Sequence, residues 1–508
     1  MRTKVLVILF LFFGLNFGNT QQIEKGEIIK DRQFLIDKKE MTASDDYGSF
    51  IAIRPHLING TLRNYYVESY KDLNFQYRTE IETENDTDIL KVFILNRKAH
   101  VLIKERDGTS ISLRLDIYDI ANKSLTRTSL LQVNKEDNKP LFKALKNDYF
   151  IDLNVSEYLI LNLPVVEDKL TYAHVQVFDQ NIDELRNFKV FADESTSHKN
   201  TSFLNVKYLN KTLYALFQLN DEDNDNLRYY RLIELTQQDK RNLDIQIPED
   251  SYELINSKIN NDHMIITGLY SHYKKSGYEG FTYYNINLSS LKIEAQKQTP
   301  FFNAAAASYF KGLFTGNRSI DINNLFIDDD FNTYIIGQFY ILREVSAPVG
   351  IPIAGFTTGG ISVYITVNPV SYTYKVFDDI LIGKVNSQGD LDWDNILELR
   401  RTEKIKSKSN KRDSSSFICF ANNQLNIFVN GFIDPEKSKL LLKQNVRMNK
   451  TNFYNIIVNP HGGIQPTIVF PNADSDIIFR AENAIISNDI IHILGQGNMR
   501  KQLLKLEL

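Results

Sequence analysis

The chain is expected to fold as an all-β propeller of four-stranded blades. Three observations predict it. Short apolar or alternating runs bounded by Asn, Asp, Gly and Lys recur along the whole chain, the units built from them return every 50–60 residues, and the composition favours strands. Tyr and Phe number 26 and 32 against one Trp and 12 Pro, so β-loving aromatics are plentiful and strand breakers few.

Before the first unit, Met1-Arg-Thr-Lys4 supplies a positive stretch, and an almost unbroken apolar run covers 5–18. This run is shorter than the roughly 20 residues that span a bilayer. Polar Asn19-Thr-Gln-Gln22 follows at once. The pattern is that of a cleaved signal peptide over residues 1–20, with the mature chain beginning at Gln21 and occupying 21–508, and cleavage after Gly18 as the other reading. The expected location is secreted or periplasmic. No Cys lies near the cleavage site, so a lipid-modified start is excluded.

Removing Arg2 and Lys4 leaves 57 basic against 63 acidic residues. No basic stripe exists to neutralise phosphates, so nucleic acid is not an expected partner. The single cysteine, Cys419, lies within Phe417-Ile-Cys-Phe420 and reads as a small buried strand residue. An exported chain without an internal disulfide relies on its core alone, which its length permits.

Strand–turn–strand pairs are read at 65–77, 113–133, 173–191, 229–247, 281–295, 380–397 and 453–470. A further strand precedes most of them, at 100–103, 158–163, 213–219, 264–270, 333–340 and 425–432. Taking the turns at Asp72, Asn122, Asn181, Gln238, Ser289, Gln388 and His461 as markers, the intervals are 50, 59, 57, 51, 99 and 73 residues. A period near 50–60 residues suits a propeller blade. An eighth unit, with strands at 490–495 and 502–508, stops short of four strands, and residues 26–36 are the candidate to complete it. Eight blades fit best. Seven blades and a tandem of β-sandwiches stay open at this level.

The interval of 99 holds an insertion, 341–377, between the second and third strands of its unit. Residues 345–360 carry no charge and are punctuated by Gly and Pro, and 361–367 alternate like a strand. One reading is a hairpin folded back on its own blade. The other is an apolar surface for a protein or glycan partner, with Val349, Ile351, Ile353, Phe356 and Tyr364 as contacts, because long loops on rigid scaffolds often carry function.

The segment Asp378-Asp-Ile-Leu-Ile-Gly-Lys-Val-Asn-Ser-Gln-Gly-Asp-Leu-Asp-Trp393, preceded by Asn332-Thr-Tyr-Ile-Ile-Gly-Gln-Phe339, resembles the repeat of bacterial secreted β-propeller proteins. The match covers one blade and fades in the others. It implies the propeller fold and export, and no particular activity.

Other motifs fail on their own terms. Quinoprotein dehydrogenases repeat a blade Trp for ring docking, and here Trp393 stands alone. A sialidase Asp box would want Asp where Gln388 stands. Asp221, Asp223 and Asp225 alternate in a way that can gather oxygens around Ca²⁺, but Asn226 and Leu232 occupy the places where an EF-hand needs Gly and Glu. A hairpin turn is the plainer reading there and at Asp328-Asp-Asp330. The eight histidines show no metal-ligand spacing, and no catalytic set emerges. Nine Asn-x-Ser/Thr sequons run from Asn59 to Asn449. The expectation is a monomeric, non-enzymatic binding or scaffolding propeller without a required cofactor. The alternative is a carbohydrate-active or other hydrolytic enzyme with its site at the central channel.

Overall fold

The structure, a computed structural model, describes residues 22–30, 41–58, 61–83, 86–146, 152–155, 158–168, 170–192, 201–220, 228–272, 277–303, 306–307, 310, 318–347, 370–399, 405–406, 416–434, 439–441, 451–472, 475–497 and 499–508. Eight antiparallel sheets follow one another along the chain, and seven of them take their four main strands in simple sequence order. The blades begin at Met41–Ser44, Thr87–Leu95, Asp152–Val155, Thr201–Leu209, Tyr252–Asn260, Arg318–Ile327, Ser416–Ala421 and Ala484–Ser487.

Eight apolar cores alternate with the eight sheets, each shared by two neighbouring blades. Leu102, Leu113 and Leu115 of the second blade pack with Leu159, Leu161 and Leu163 of the third. Tyr334, Ile380 and Ile382 of the sixth meet Ile427, Val429 and Ile456 of the seventh. The ring closes where Phe50, Ala52 and Tyr70 of the first blade pack on Leu494 and Leu503 of the last. A central strand is therefore apolar on both faces, which explains why second strands such as His263–Ser271 are buried almost throughout.

First strands of neighbouring blades pack near one another, as Met41–Ser44 does with Thr87–Leu95 and Tyr252–Asn260 with Arg318–Ile327, and they lie innermost, around the axis. Fourth strands form the outer edge and alternate exposed with covered residues, as Asn74–Ile81 does. Few helices interrupt this pattern. Lys139–Leu145 is a short α-helix capped by the Asn138 side chain, which accepts from Leu141 N at 3.1 Å, with Pro140 in its first turn. It buries Leu141, Phe142 and Leu145 in the core between the second and third blades.

The last blade is composite. Its third strand, Arg500–Glu507, pairs on its outer side with Gln22–Lys25 in the register Gln22↔Glu507 to Lys25↔Leu504. Ile29–Lys30 then pairs with Lys501 and Arg500. The closing strand thus starts earlier than residues 26–36, the span expected from the sequence, and Gly26 interrupts it. A Cβ at Gly26 would lie 2.2 Å from Leu73 O, so the strand passes the first blade too closely for any side chain.

The turns repeat one chemistry. Between third and fourth strands, Asp179, Asn386 and Asn459 each accept two backbone N–H bonds on Oδ1, from residues two and four further on. Asp328 does the same between first and second strands, so Asp328-Asp-Asp330 is a turn, as read from the sequence. Two-residue turns at Asn96–Arg97, Asn210–Lys211 and Asn422–Asn423 take positive φ at both positions, the geometry of tight hairpins.

Candidate functional site

These tight turns all lie on one face of the ring, because they join first to second and third to fourth strands. Connections between second and third strands, and between blades, leave from the opposite face. Among the described residues, the sixth blade extends furthest there. Its second and third strands, Thr333–Ala347 and Val370–Val385, stay paired from Thr333↔Val385 out to Ala347↔Val370, beyond the first strand, whose pairing ends at Arg318↔Ile341. The insertion foreseen at 341–377 therefore begins as a continued hairpin stem. Val349, Ile351, Ile353, Phe356 and Tyr364 lie past the end of that stem and outside the described residues, as do Asp221, Asp223 and Asp225. The strands flanking those aspartates pair from Leu213↔Leu235 to Asn220↔Arg228, so the acidic run joins a hairpin.

Around the axis, polar side chains from the preceding blade reach backbone carbonyls on the inner edge of the first strands of the third, fifth and sixth blades. Asn205 Nδ2 donates to Ser257 O and Oγ at 3.2 and 2.8 Å, and Asn256 Nδ2 donates to Ile322 O at 3.1 Å. Lys258 Nζ reaches Leu325 O at 3.2 Å, and Lys91 Nζ reaches Leu153 O. Burial, and then the nearby Lys207, lower the Lys258 pKa. These side chains stitch blade to blade. Asn205 and Asn256 occupy matching places one repeat apart, a signal that was present in the sequence and that strand patterning alone passed over.

Several carboxylates are enclosed, Glu68, Glu253, Asp116, Asp379 and Asp394 among them, and two gather the most donors. Glu253, on the first strand of the fifth blade, accepts from Thr282 Oγ1 (2.7 Å), Tyr230 (2.8 Å), Tyr284 (2.9 Å) and Gln298 Nε2 (2.9 Å). Burial raises its pKa although these donors oppose the rise. Glu68, on the third strand of the first blade, meets Arg78 Nε at 2.8 Å, Arg54 at 3.8 Å, Tyr70 at 3.0 Å and Lys501. Burial would raise Glu68, but Lys501, Arg54 and Arg78 outweigh it and the pKa falls. Both carboxylates are consumed by blade structure. On the face of the longer connections, burial and Arg106 lower Lys104 to about 8 against the attraction of Asp88, 3.6 Å away.

On the tight-turn face a cavity of about 410 Å³ opens where the first-to-second-strand turns of the eighth, first and second blades converge. Ser44, Asp45, Tyr47, Asn96, Arg97 and Ser487 line it. Asp46 accepts from Ser487 Oγ and Asn488 Nδ2, tying the last blade to the first, and the Arg97 guanidinium lies 4.3 Å over the Tyr47 ring. Its residues come from opposite ends of the chain, and sequence reading did not find it.

Trp393 belongs to packing. Its Nε1 donates to Pro460 O at 2.8 Å, and Gly462 backs onto its ring. Cys419 is buried, and burial pushes its thiol up to about 12. No three His, Cys, Asp or Glu side chains among the described residues come together as a metal site, and no described helix is long and apolar enough to cross a membrane.

No protein-family model matches the chain, and a search of curated proteins finds no relative. A search of solved structures finds distant likenesses. The polysaccharide lyase Uly1 is 10% identical with a TM-score of 0.39, over 94% of this chain and 99% of that one. The β-propeller domain of the Trilobed protease from Pyrococcus furiosus is 8% identical with a TM-score of 0.37, over 86% and 100%. A PL25 ulvan lyase is 10% identical with a TM-score of 0.36, over 81% and 90%. Likeness at this level carries no argument about activity. The chain is an eight-bladed β-propeller.

Proposed function

We propose that the protein is an exported binding or scaffolding propeller that presents the sixth-blade arm to a protein or glycan partner. The observation that supports this reading is the paired stem running from Tyr340↔Phe377 to Ala347↔Val370, which projects from a complete blade and ends at the uncharged stretch 348–360. A blade needs only four strands, so the paired stem adds nothing to ring closure, and it leads into a long uncharged stretch of sequence. The hydrolytic alternative needs unengaged carboxylates facing each other at a channel mouth, whereas Glu68 and Glu253 are held by structural donors.

Replacing 348–369 with Asn-Gly tests the reading, since the stem can close as a tight hairpin. Capture of envelope proteins or glycans on the immobilised mature chain is expected to disappear while the melting temperature is unchanged. Capture that survives the replacement would refute the arm as the binding element. Export is tested by the N-terminus of the released protein, expected at Gln21. A membrane-bound product retaining residues 1–19 would refute it.

A further inference from the structure

The cavity on the tight-turn face lies opposite the proposed arm and is argued independently of it. Its central residue is Asp45, which opens between first and second strands the same turn that Asp328 opens there in the sixth blade. In the sixth blade Asp328 Oδ1 accepts from Asp330 N and Asn332 N at 3.0 and 2.8 Å, and its Oδ2 accepts from Asn332 Nδ2 at 2.9 Å. In the first blade Asp45 Oδ1 accepts from Tyr47 N and Ser49 N at 3.0 and 2.8 Å. The backbone closes both turns alike, with Asp45 N donating to Ser49 O and Asp328 N to Asn332 O at 3.0 Å each. The difference lies in one side chain. Where the sixth blade has Asn332, the first has Ser49, too short to reach back, and Asp45 Oδ2 is buried with no hydrogen-bond partner among the described residues.

Ser44 Oγ, also on the cavity wall, is likewise buried without a partner, as is Nδ1 of His492, which feels the charge of Asp45. Buried polar atoms left unmade are costly, so the two on residues that line one opening, Asp45 and Ser44, mark a place where an outside group completes them. The carboxylate oxygen asks for a donor, and the serine hydroxyl can give or take. Asn96 and Arg97 add donors, and Tyr47, 59% exposed, supplies an aromatic ring at the rim. The volume of about 410 Å³ falls within the range of small-molecule sites, roughly 300–1,000 Å³. Mixed donors and acceptors beside an exposed ring suit a hydroxyl-rich ligand. A bare cation fits less well, because Arg97 shares the space and Asp46 is occupied by Ser487 and Asn488.

We propose that the cavity between the turns of the eighth, first and second blades is a saccharide subsite, in which a sugar hydroxyl donates to Asp45 Oδ2, a second meets Ser44 Oγ, and the ring rests against Tyr47. The test uses the full mature chain and a panel of glucose, galactose, N-acetylglucosamine, glucuronate and their β-linked disaccharides, read by saturation-transfer NMR and titration. Asp45→Asn is the informative variant, because Asn386 and Asn459 form the same turn with an amide, so folding is kept while the acceptor becomes a donor. At least one disaccharide is expected to bind, and Asp45→Asn and Tyr47→Ala should each weaken it tenfold or more with melting temperatures within about 2 °C of the parent. Absence of binding across the panel, equal binding by both variants, or occupancy by Ca²⁺ in place of sugar would overturn the proposal. Removal of 348–369 should leave sugar binding intact. If it abolishes that binding, the saccharide sits on the arm, and this inference fails while the function proposed above stands.

Discussion

Lys501 donates to Glu68 in the interior, joining the third strand of the last blade to the third strand of the first across a separation of 433 residues. Both side chains are at most 1% exposed, and Arg54 and Arg78 converge on the same carboxylate. The apolar core at this seam is small, with six buried members. The ion cluster therefore reinforces the place where ring closure has least hydrophobic area.

Glu68→Gln should be among the most damaging single substitutions in the protein. It leaves three cations facing a neutral amide, and breaking a buried pair costs about 3–5 kcal/mol. The lowered pKa of Glu68 also sets a sign: its contribution is complete above the ordinary carboxylate range and is lost as pH falls through the lower folded value. Urea unfolding at pH 7 and in the acid range should show this dependence in the parent and its loss in the variant. A variant within about 0.5 kcal/mol of the parent at pH 7 would mean the cluster contributes nothing net.

Buried histidines work in the same direction over another window. His100, stacked on Phe93, and His492, beside Phe50, are held near 4 chiefly by burial. The unfolded chain binds protons at about 6.5 while the folded chain does not, so stability should fall as pH drops from about 6.5 to 4. Each site contributes on the order of 2–3 kcal/mol across that range. His100→Phe should flatten part of the slope, and a profile as steep as the parent's would exclude this source.

The single tryptophan gives a local probe. Gly462 has φ +81°, and a Cβ there would lie 2.8 Å from Trp393 Cδ2. Gly462→Ala should cost about 1–3 kcal/mol and shift the intrinsic emission, because both the backbone and the ring must move. Unchanged emission and stability would contradict the packing of the sixth blade on the seventh.

Strand completion offers a fourth check. A chain beginning at Met41 lacks both closing strands and exposes the outer edge of Arg500–Glu507. Its melting temperature is expected to drop by 5 °C or more on the scale of about 2–4 °C per kcal/mol, and a synthetic peptide of residues 21–36 should restore part of it. Equal melting with and without those strands would show that ring closure does not depend on them.

Much of the architecture was legible because the third and fourth strands keep local signals: an Asp or Asn turn with two backbone bonds, then alternation on an outer edge. First strands carry no such mark. Tyr252–Asn260 is evenly half-buried along its length, since neighbouring blades cover it and polar groups such as Asn256 serve the next strand's carbonyls, which erases any period of two. The closing strand was misplaced by a few residues because Gly26 looks like a boundary and is a point of close approach within the strand. The cavity was invisible for another reason. Asp45, Arg97 and Ser487 meet only once the ring exists, and the orphaned oxygen of Asp45 depends on Ser49 being shorter than Asn332, a contrast that needs the two turns side by side.

The composite last blade also orders events in time. Gln22–Lys25 is made long before Arg500–Glu507, so an early strand waits for a late one. Every intermediate length keeps one open blade edge at each end of a growing arc, and no earlier segment supplies the partner that Gln22–Lys25 requires. A chain delivered across a membrane from its N-terminus would meet the same delay on the far side, and the ring there closes only once Arg500–Glu507 has arrived.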